Sequence, residues 1–198
     1  MLSFVKRFCD ARRVSVQAVI TASGTLPDKD TYTVEAKLAL KRLTGFRLEA
    51  IDDPDPKKGA GRSKDGNFVL TKFAVKLFVP GQFDGKELEF ASAKADHSQN
   101  KFPVEAALKG EDTAGWAISP QQQKSHVAVF ELKPPLDVPE GARLVFTLDH
   151  QHKETYLLGQ FRLSATDAAG PLKPDFTPDV VASALAAKPE QRTAKQTE

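Results

Sequence analysis

The sequence predicts an all-β protein: an antiparallel β-sandwich of jelly-roll type with short peripheral helices. Three observations lead to this fold class. Apolar and polar side chains alternate along several short segments, turn-forming residues separate those segments, and helical periodicity is scarce. Short strands at such spacing are typical of a sandwich. The chain of 198 residues is long enough for one such domain with its own core.

The first predicted strand covers residues 31–40. One of its faces is wholly apolar and the other carries Thr33, Glu35 and Lys37, which indicates a half-buried strand. Six further segments are predicted as strands on similar grounds: 45–52, 67–79, 87–93, 126–132, 142–149 and 155–166. The sequence therefore predicts about seven extended segments that meet in one two-layered interior.

Glycine and proline mark the breaks between these strands. The longest predicted loop covers 53–61, and Pro134-Pro135 is expected to separate two late strands. Residues 104–109 predict one or two helical turns, and 179–187 a short helix. We divide the chain into a poorly matched N-terminal segment with a truncated edge strand (1–24), a sandwich domain (25–167) and a weakly helical or disordered linker or tail (168–198).

Composition excludes several classes of partner. Lys and Arg number 28 against 26 Asp and Glu, and no basic stripe is interleaved with aromatic residues, so nucleic acid is not expected as a partner. No apolar run is long enough to span a membrane. Lys6 and Arg7 interrupt the first apolar stretch, so no secretory signal is visible there. The single cysteine, Cys9, allows no intrachain disulfide and is interpreted as an incidental thiol.

Catalytic patterns are weak, and we expect no enzyme. Glu87 and Glu89 alternate on a short strand without a third acid, as on a solvated edge. His150 and His152 would share a face if both lay on a strand and could then hold a metal ion, but they lack a convincing third ligand and in a turn would simply be exposed. No nucleophile elbow accompanies the histidines.

Calcium is the one cofactor that the sequence suggests. Loops of β-sandwiches hold Ca²⁺ with backbone carbonyls and one or two carboxylates. Glu111 and Asp112 lie in a polar loop before the only tryptophan, and Asp96 lies in another loop. The alternative is a solvated turn in which Asp112 bonds its own backbone.

Four aromatic residues could stack on sugar rings, because such rings offer flat apolar area to C–H faces. They are Trp116, Tyr156, Phe83 and Phe102. For Trp116 we favour a position in the core, since Ala117 and Ile118 follow it.

Several motifs occur in an order that resembles a known module, the β-sandwich of the large planctomycete cytochrome-c-type proteins with paired domains of unknown function. That module is itself similar to discoidin and galactose-binding domains. The resemblance covers roughly residues 26–166, and its motifs are specific only as an ordered set. They are DKDTYTV (28–34), GR (61–62), GNFVL (66–70), AKAD (93–96), GWAISP (115–120), HVAVF (126–130) and LGQFRLS (158–164).

The resemblance implies an exported or periplasmic setting and a carbohydrate-binding module. Three candidate ligand-binding residues lie in its motifs: Trp116, His126 and Arg162. The fourth is Tyr156, which stands where the family tends to have a histidine. Haem in that family sits on a separate Cys-x-x-Cys-His domain, and that motif is absent here, so no haem is expected on this chain. Lys109 stands where the family tends to have an acid before the tryptophan loop, which weakens the calcium interpretation.

The leading hypothesis is a non-catalytic binding or spacer module of a larger exported protein, with polysaccharide or neighbouring domains as partners. The alternative is a structural module that packs against other domains and binds no ligand. A glycoside-active enzyme on the same fold is the third interpretation. A sugar binder should gather exposed aromatics and polar groups at one loop edge, whereas a structural module should bury Trp116.

Overall fold

The computed structural model describes residues 14–15, 19–38, 40–55 and 58–174. Over these residues the chain forms two antiparallel sheets, as the alternation predicts. In chain order the strands are β1 (Val14–Ser15), β2 (Ile20–Thr21), β3 (Asp30–Lys37), β4 (Arg42–Ile51), β5 (Lys72–Phe78), β6 (Lys86–Glu87), β7 (Phe90–Ala95), β8 (His126–Asp137), β9 (Arg143–His150) and β10 (Gln160–Thr166). A 3-10 turn occupies Val104–Leu108, where the sequence predicts one or two helical turns.

The first sheet has the order β10, β4, β8, β7, with β1 and β2 both pairing with the outer side of β10. The second sheet has the order β3, β9, β5, β6. Every strand pair is antiparallel. Consecutive strands often lie in different sheets, so loops cross between the layers at both ends of the sandwich.

Phenylalanine rings from both sheets fill the space between the layers. Phe73 of the second sheet stacks on Phe130 of the first, with ring centroids 3.9 Å apart. Phe46 meets Phe146 edge-on at 5.3 Å. All four lie on the inward phase of their strands and are at most 2% exposed. Burial of these rings is the main stabilising term of such a core.

Several predicted strand boundaries differ from the structure. The strands predicted at 67–79 and 155–166 begin later, with β5 at Lys72 and β10 at Gln160. Residues 87–93, predicted as one strand, belong to β6 and β7 in different sheets. Pro134 and Pro135 do not end β8. They lie at a shift in the register between β8 and β4. On one side of the shift Glu131 pairs with Gly45, and on the other side Leu136 pairs with Leu43. A bulge tolerates proline, because the ladder needs no N–H at that point.

Segments outside the predicted sandwich domain also contact it. The short strands β1 and β2, from the predicted N-terminal segment, provide edge pairing for β10. At the other boundary, Leu172 lies so close to Gly45 that a side chain at that glycine would collide with it. The predicted helix at 179–187 lies outside the described residues.

Candidate functional site

Four connections meet at one end of the sandwich. They are residues 22–29, 52–71, 96–125 and 151–159, with residues 56 and 57 outside the described part. Backbone hydrogen bonds join them directly. Val69 N–H donates to the carbonyl of Tyr156, Leu70 and Trp116 exchange two bonds, and Gly159 N–H donates to Ala60. This end is therefore a cross-linked loop layer, in which irregular backbone is held in a fixed shape.

Three aromatic rings lie side by side on the surface of this loop layer. His152 stands between Phe102 and Tyr156, with centroid separations of 5.7 Å to Phe102 and 5.6 Å to Tyr156. All three side chains are half-buried. We call Phe102, His152 and Tyr156 the ring row. It combines apolar area with ring nitrogens and a hydroxyl, which is the mixture that small-ligand sites use.

Backbone strain is concentrated beside the ring row. Among the described residues, the non-glycine residues with positive φ are Lys101 (69°), Glu154 (69°) and Thr155 (61°). Lys101 precedes Phe102, and the other two precede Tyr156. A β-branched residue such as Thr155 rarely adopts this conformation. Strained residues of this kind cluster at binding sites, where the fold holds them in place.

Asp28 holds the strained turn. Its carboxylate accepts a hydrogen bond from the Glu154 N–H at 2.6 Å, and its carbonyl accepts one from Thr155 N–H at 3.3 Å. On the other side, Gln151 N–H donates to the Thr71 hydroxyl at 3.1 Å. The turn that carries His152 and Tyr156 is thus fixed at both of its ends.

Two carboxylates act electrostatically on the Tyr156 hydroxyl. The pKa of Tyr156 is raised above 10.0, first by burial and then by the negative charges of Asp65 and Glu154. Asp65 is itself oriented, because its Oδ1 accepts a hydrogen bond from the Ser63 hydroxyl at 2.6 Å. Acceptors fixed beside a stacking ring can receive hydrogen bonds from ligand hydroxyls.

Trp116 lies beneath this surface and takes no part in the ring row. Its side chain is wholly buried, meets Phe68 edge-on at 5.1 Å, and donates from Nε1 to the carbonyl of His97 at 2.9 Å. Asn67 supports the same region, accepting from Ile118 N–H at 3.1 Å. The tryptophan has the core position that the sequence analysis favours over stacking, and in this structure it offers no face to a ligand.

His126 is also buried, at 2% exposure, as the first residue of β8. Its Nδ1 lies 3.1 Å from Asp96 Oδ2 and its Nε2 lies 2.9 Å from the Gln121 carbonyl. Both neighbours are acceptors, so the doubly protonated imidazolium satisfies the arrangement best. Burial alone would lower the pKa of His126, but the Asp96 and Gln121 bonds outweigh it and raise the pKa above 6.5.

Arg162 lies on the outer face of the first sheet, away from the ring row. Its Nη1 is 3.0 Å from Glu49 Oε2, and Arg47 Nε approaches the other carboxylate oxygen at 3.2 Å. Glu49 is only 8% exposed. Of the four residues that the sequence analysis names as ligand-binding candidates, Tyr156 is the one that lies in the ring row.

Two of the three residues proposed for calcium have side-chain partners in the structure, and the third is exposed. Asp96 Oδ1 accepts hydrogen bonds from the N–H groups of His97 and Val127, both at 2.9 Å, while Oδ2 faces His126. Asp112 lies 3.8 Å from the Lys29 ammonium, and Glu111 is exposed. Within the described residues, no cluster of three or more His, Cys, Asp or Glu side chains could hold a metal ion. Calcium binding by Asp96, Glu111 and Asp112 stays a prediction.

The pairing of His150 with His152 is not found. His150 continues the inward phase of β9 and is fully buried against Tyr32, at a centroid separation of 4.8 Å. Neither of its ring nitrogens makes a hydrogen bond of acceptable geometry. Burial lowers its pKa to about 3, and the nearby Leu148 backbone opposes this only in part. His152 lies beyond the end of the strand, on the surface.

The sequence analysis missed His152 as a member of the ring row. A usable signal was present, because Leu144, Phe146 and Leu148 place His150 in the inward phase of the strand. The strand then ends, and His152 must follow in the loop. That His152 stands between Phe102 and Tyr156 has no signature along the chain.

The chain matches no family model, no curated protein and no solved structure. The part of the chain that the structure describes also contains no helix long and apolar enough to cross a membrane.

Proposed function

We propose that this protein is a non-catalytic binding module that holds carbohydrate on the ring row. The observation that carries the proposal is the joint placement of Phe102, His152 and Tyr156 beside the positive-φ residues of the described chain. Backbone strain that surrounding hydrogen bonds hold in place is typical of binding sites, and here it fixes the segments that present the rings.

The chemistry of the ring row suits a sugar. The C–H faces of a pyranose pack on aromatic rings, and its hydroxyls need fixed hydrogen-bond partners. Asp65 and Glu154 provide acceptors near Tyr156. His152 contributes its Nε2, since its Nδ1 faces the Lys153 carbonyl at 3.4 Å. Stacking supplies affinity in this arrangement, and the carboxylates orient the ligand.

The wider setting in the proposal comes from the resemblance set out above. We place the module in a larger exported protein, where it binds polysaccharide or separates neighbouring domains. No step of bond breaking is assigned to any residue.

A second candidate function is a structural packing module without a ligand. The complete burial of Trp116 favours it, since a structural module would use its largest ring in the core. Phe83, which is 100% exposed at the opposite end of the sandwich, would then be the contact to a neighbour.

A glycan array with the full chain tests the proposal. We expect binding to at least one glycan, and a loss of roughly tenfold or more in affinity in Tyr156→Ala and Phe102→Ala, since about 1.4 kcal/mol of lost stacking corresponds to a factor of ten. Phe83→Ala is the matched control, an exposed aromatic away from the ring row, and should bind like the wild type.

An array on which no glycan binds would overturn the carbohydrate function. The carbohydrate function of the ring row would also be overturned if Tyr156→Ala and Phe102→Ala bound glycans as the wild type does, with circular dichroism showing that both variants are folded. If Phe83→Ala alone abolished binding, the ligand would sit at the opposite end.

A further inference from the structure

The ring row is not flat. The His152 ring is inclined by 75° to Phe102 and by 71° to Tyr156. Neighbouring rings in the row are therefore close to perpendicular, and no two adjacent rings can lie in one plane. This shape limits what the row can contact at the same time.

A crystalline polysaccharide presents its sugar rings as a flat face. Stacking on such a face requires aromatic rings that are coplanar, because each ring must approach the same plane at van der Waals distance. With His152 turned against both neighbours, such a face cannot lie flat on His152 and on a neighbouring ring at the same time. At least one ring of the row would then make no stacking contact with the face.

A single carbohydrate chain has no such constraint. Rotation about its glycosidic bonds lets successive sugars turn their C–H faces toward rings of different orientation. The hydroxyls at the edges of each sugar remain free for side chains that surround the row. Asp65 and Glu154, both exposed beside Tyr156, are placed for such contacts.

The loop layer favours the same occupant. The strained turn is held by Asp28 on one side, and the Phe102 backbone is tied in by two hydrogen bonds: Phe102 N–H donates to Gln99, and Ala117 N–H donates to Phe102. These bonds hold the two backbone segments in place. The positions from which the three rings leave the backbone are thus fixed.

We infer that the ring row takes one separate carbohydrate chain in solution, and does not bind the flat face of a packed polysaccharide. This inference rests on the proposed carbohydrate function and narrows it to a class of ligand. A flexible chain loses conformational freedom on binding, so modest affinity is expected for each chain.

The test compares the same sugar in two physical states. Cellohexaose and chitohexaose are titrated into the full-length chain by calorimetry, and microcrystalline cellulose and crystalline chitin are used to deplete the chain from solution. We expect a soluble hexasaccharide to bind, and its affinity to fall roughly tenfold in Tyr156→Ala. Crystalline particles should remove little protein from solution, and no more of the wild type than of the variant.

The inference would be overturned if crystalline particles removed the wild type from solution, Tyr156→Ala abolished this removal, and the soluble hexasaccharide did not compete with it. The carbohydrate function would then still stand. Binding of neither state would overturn the inference as well. A blank glycan array in addition would remove the proposed function itself, so that the two failures can be told apart. Phe83→Ala serves again as the control and should follow the wild type in both assays.

Discussion

Nδ1 of His126 lies 3.1 Å from Oδ2 of Asp96, and this contact joins the start of β8 to the loop that follows β7. The Gln121 carbonyl holds the other ring nitrogen at 2.9 Å. An imidazole between two acceptors favours the charged form. The two residues form a stabilising ion pair where the loop layer joins β8, and the contribution of this pair to stability depends on pH.

The pH window follows from the two pKa shifts. For Asp96, burial alone would raise the pKa, but the hydrogen bonds from His126 and Val127 lower it below 3.8. The stabilisation by Asp96 is therefore fully present above pH 3.8, the ordinary pKa of the carboxyl, and is lost as the pH falls through the lower folded pKa. The pKa of His126 is raised above 6.5, so its contribution is complete below 6.5 and lost as pH rises through the folded pKa.

Asp96→Asn should remove this dependence. Since hydrogen bonds to charged groups contribute about 1.5–3 kcal/mol, we expect a loss of about 2 kcal/mol in the free energy of unfolding at about pH 6. The loss should shrink as the pH rises through the raised folded pKa of His126, because the wild-type imidazole then becomes neutral. Urea unfolding at a series of pH values measures the loss of unfolding free energy. A loss that does not change with pH would contradict the ion pair.

His150 should act in the opposite sense. Its folded pKa is lowered to about 3, so below 6.5 the unfolded chain takes up a proton that the folded chain refuses. Stability then falls with falling pH by about 1.4 kcal/mol per unit, until the folded pKa is reached. When the pH falls from about 7 to about 5, the free energy of unfolding should therefore decrease by about 2 kcal/mol less in His150→Leu than in the wild type.

His152→Gln is the matched control for that experiment, because His152 is two residues away and half-exposed. It should keep the acid dependence of the wild type. If His150→Leu kept it as well, the buried imidazole would not be its source.

Trp116→Phe tests whether the tryptophan belongs to the core or to a ligand site. The change removes the hydrogen bond to His97 and leaves a small cavity beside Phe68. We expect a loss of about 2 kcal/mol in unfolding free energy and unchanged glycan affinity under conditions in which the variant is folded.

Circular dichroism during urea unfolding checks the loss, since the variant lacks the only tryptophan of the chain. Phe83→Ala should stay within about 0.5 kcal/mol of the wild type, because Phe83 is fully exposed. Glycan affinity that disappears in a folded, equally stable Trp116→Phe would assign Trp116 to the ligand site.

The sheets show how far local pattern reaches. Phe46, Leu48 and Ala50 alternate along one strand, and all three are fully buried. Period-2 alternation is a property of the extended backbone itself, so it can be recognised without knowledge of any partner strand. Pairing is different, because β4 lies between β8 and β10, both more than seventy residues further along the chain.

The loops show where local pattern stops. Pro134 and Pro135 look like a strand break, yet the partner strand accommodates them in a bulge. Asp96 is predicted as a calcium ligand in a loop, and in the structure its carboxylate faces His126 and two backbone N–H groups. In both places a contact with a residue far along the chain is present that the sequence pattern does not reveal.

The amino-acid order by itself determined that this chain is all-β, which side chains enter the core, and where most strands lie, since alternation and turn chemistry are short-range effects. Only the tertiary structure decided that Phe102 meets His152 and Tyr156, and at what inclination. Those rings lie on two loops about fifty residues apart in the chain, and the physical reason is that strand pairing in both layers fixes where the loops meet.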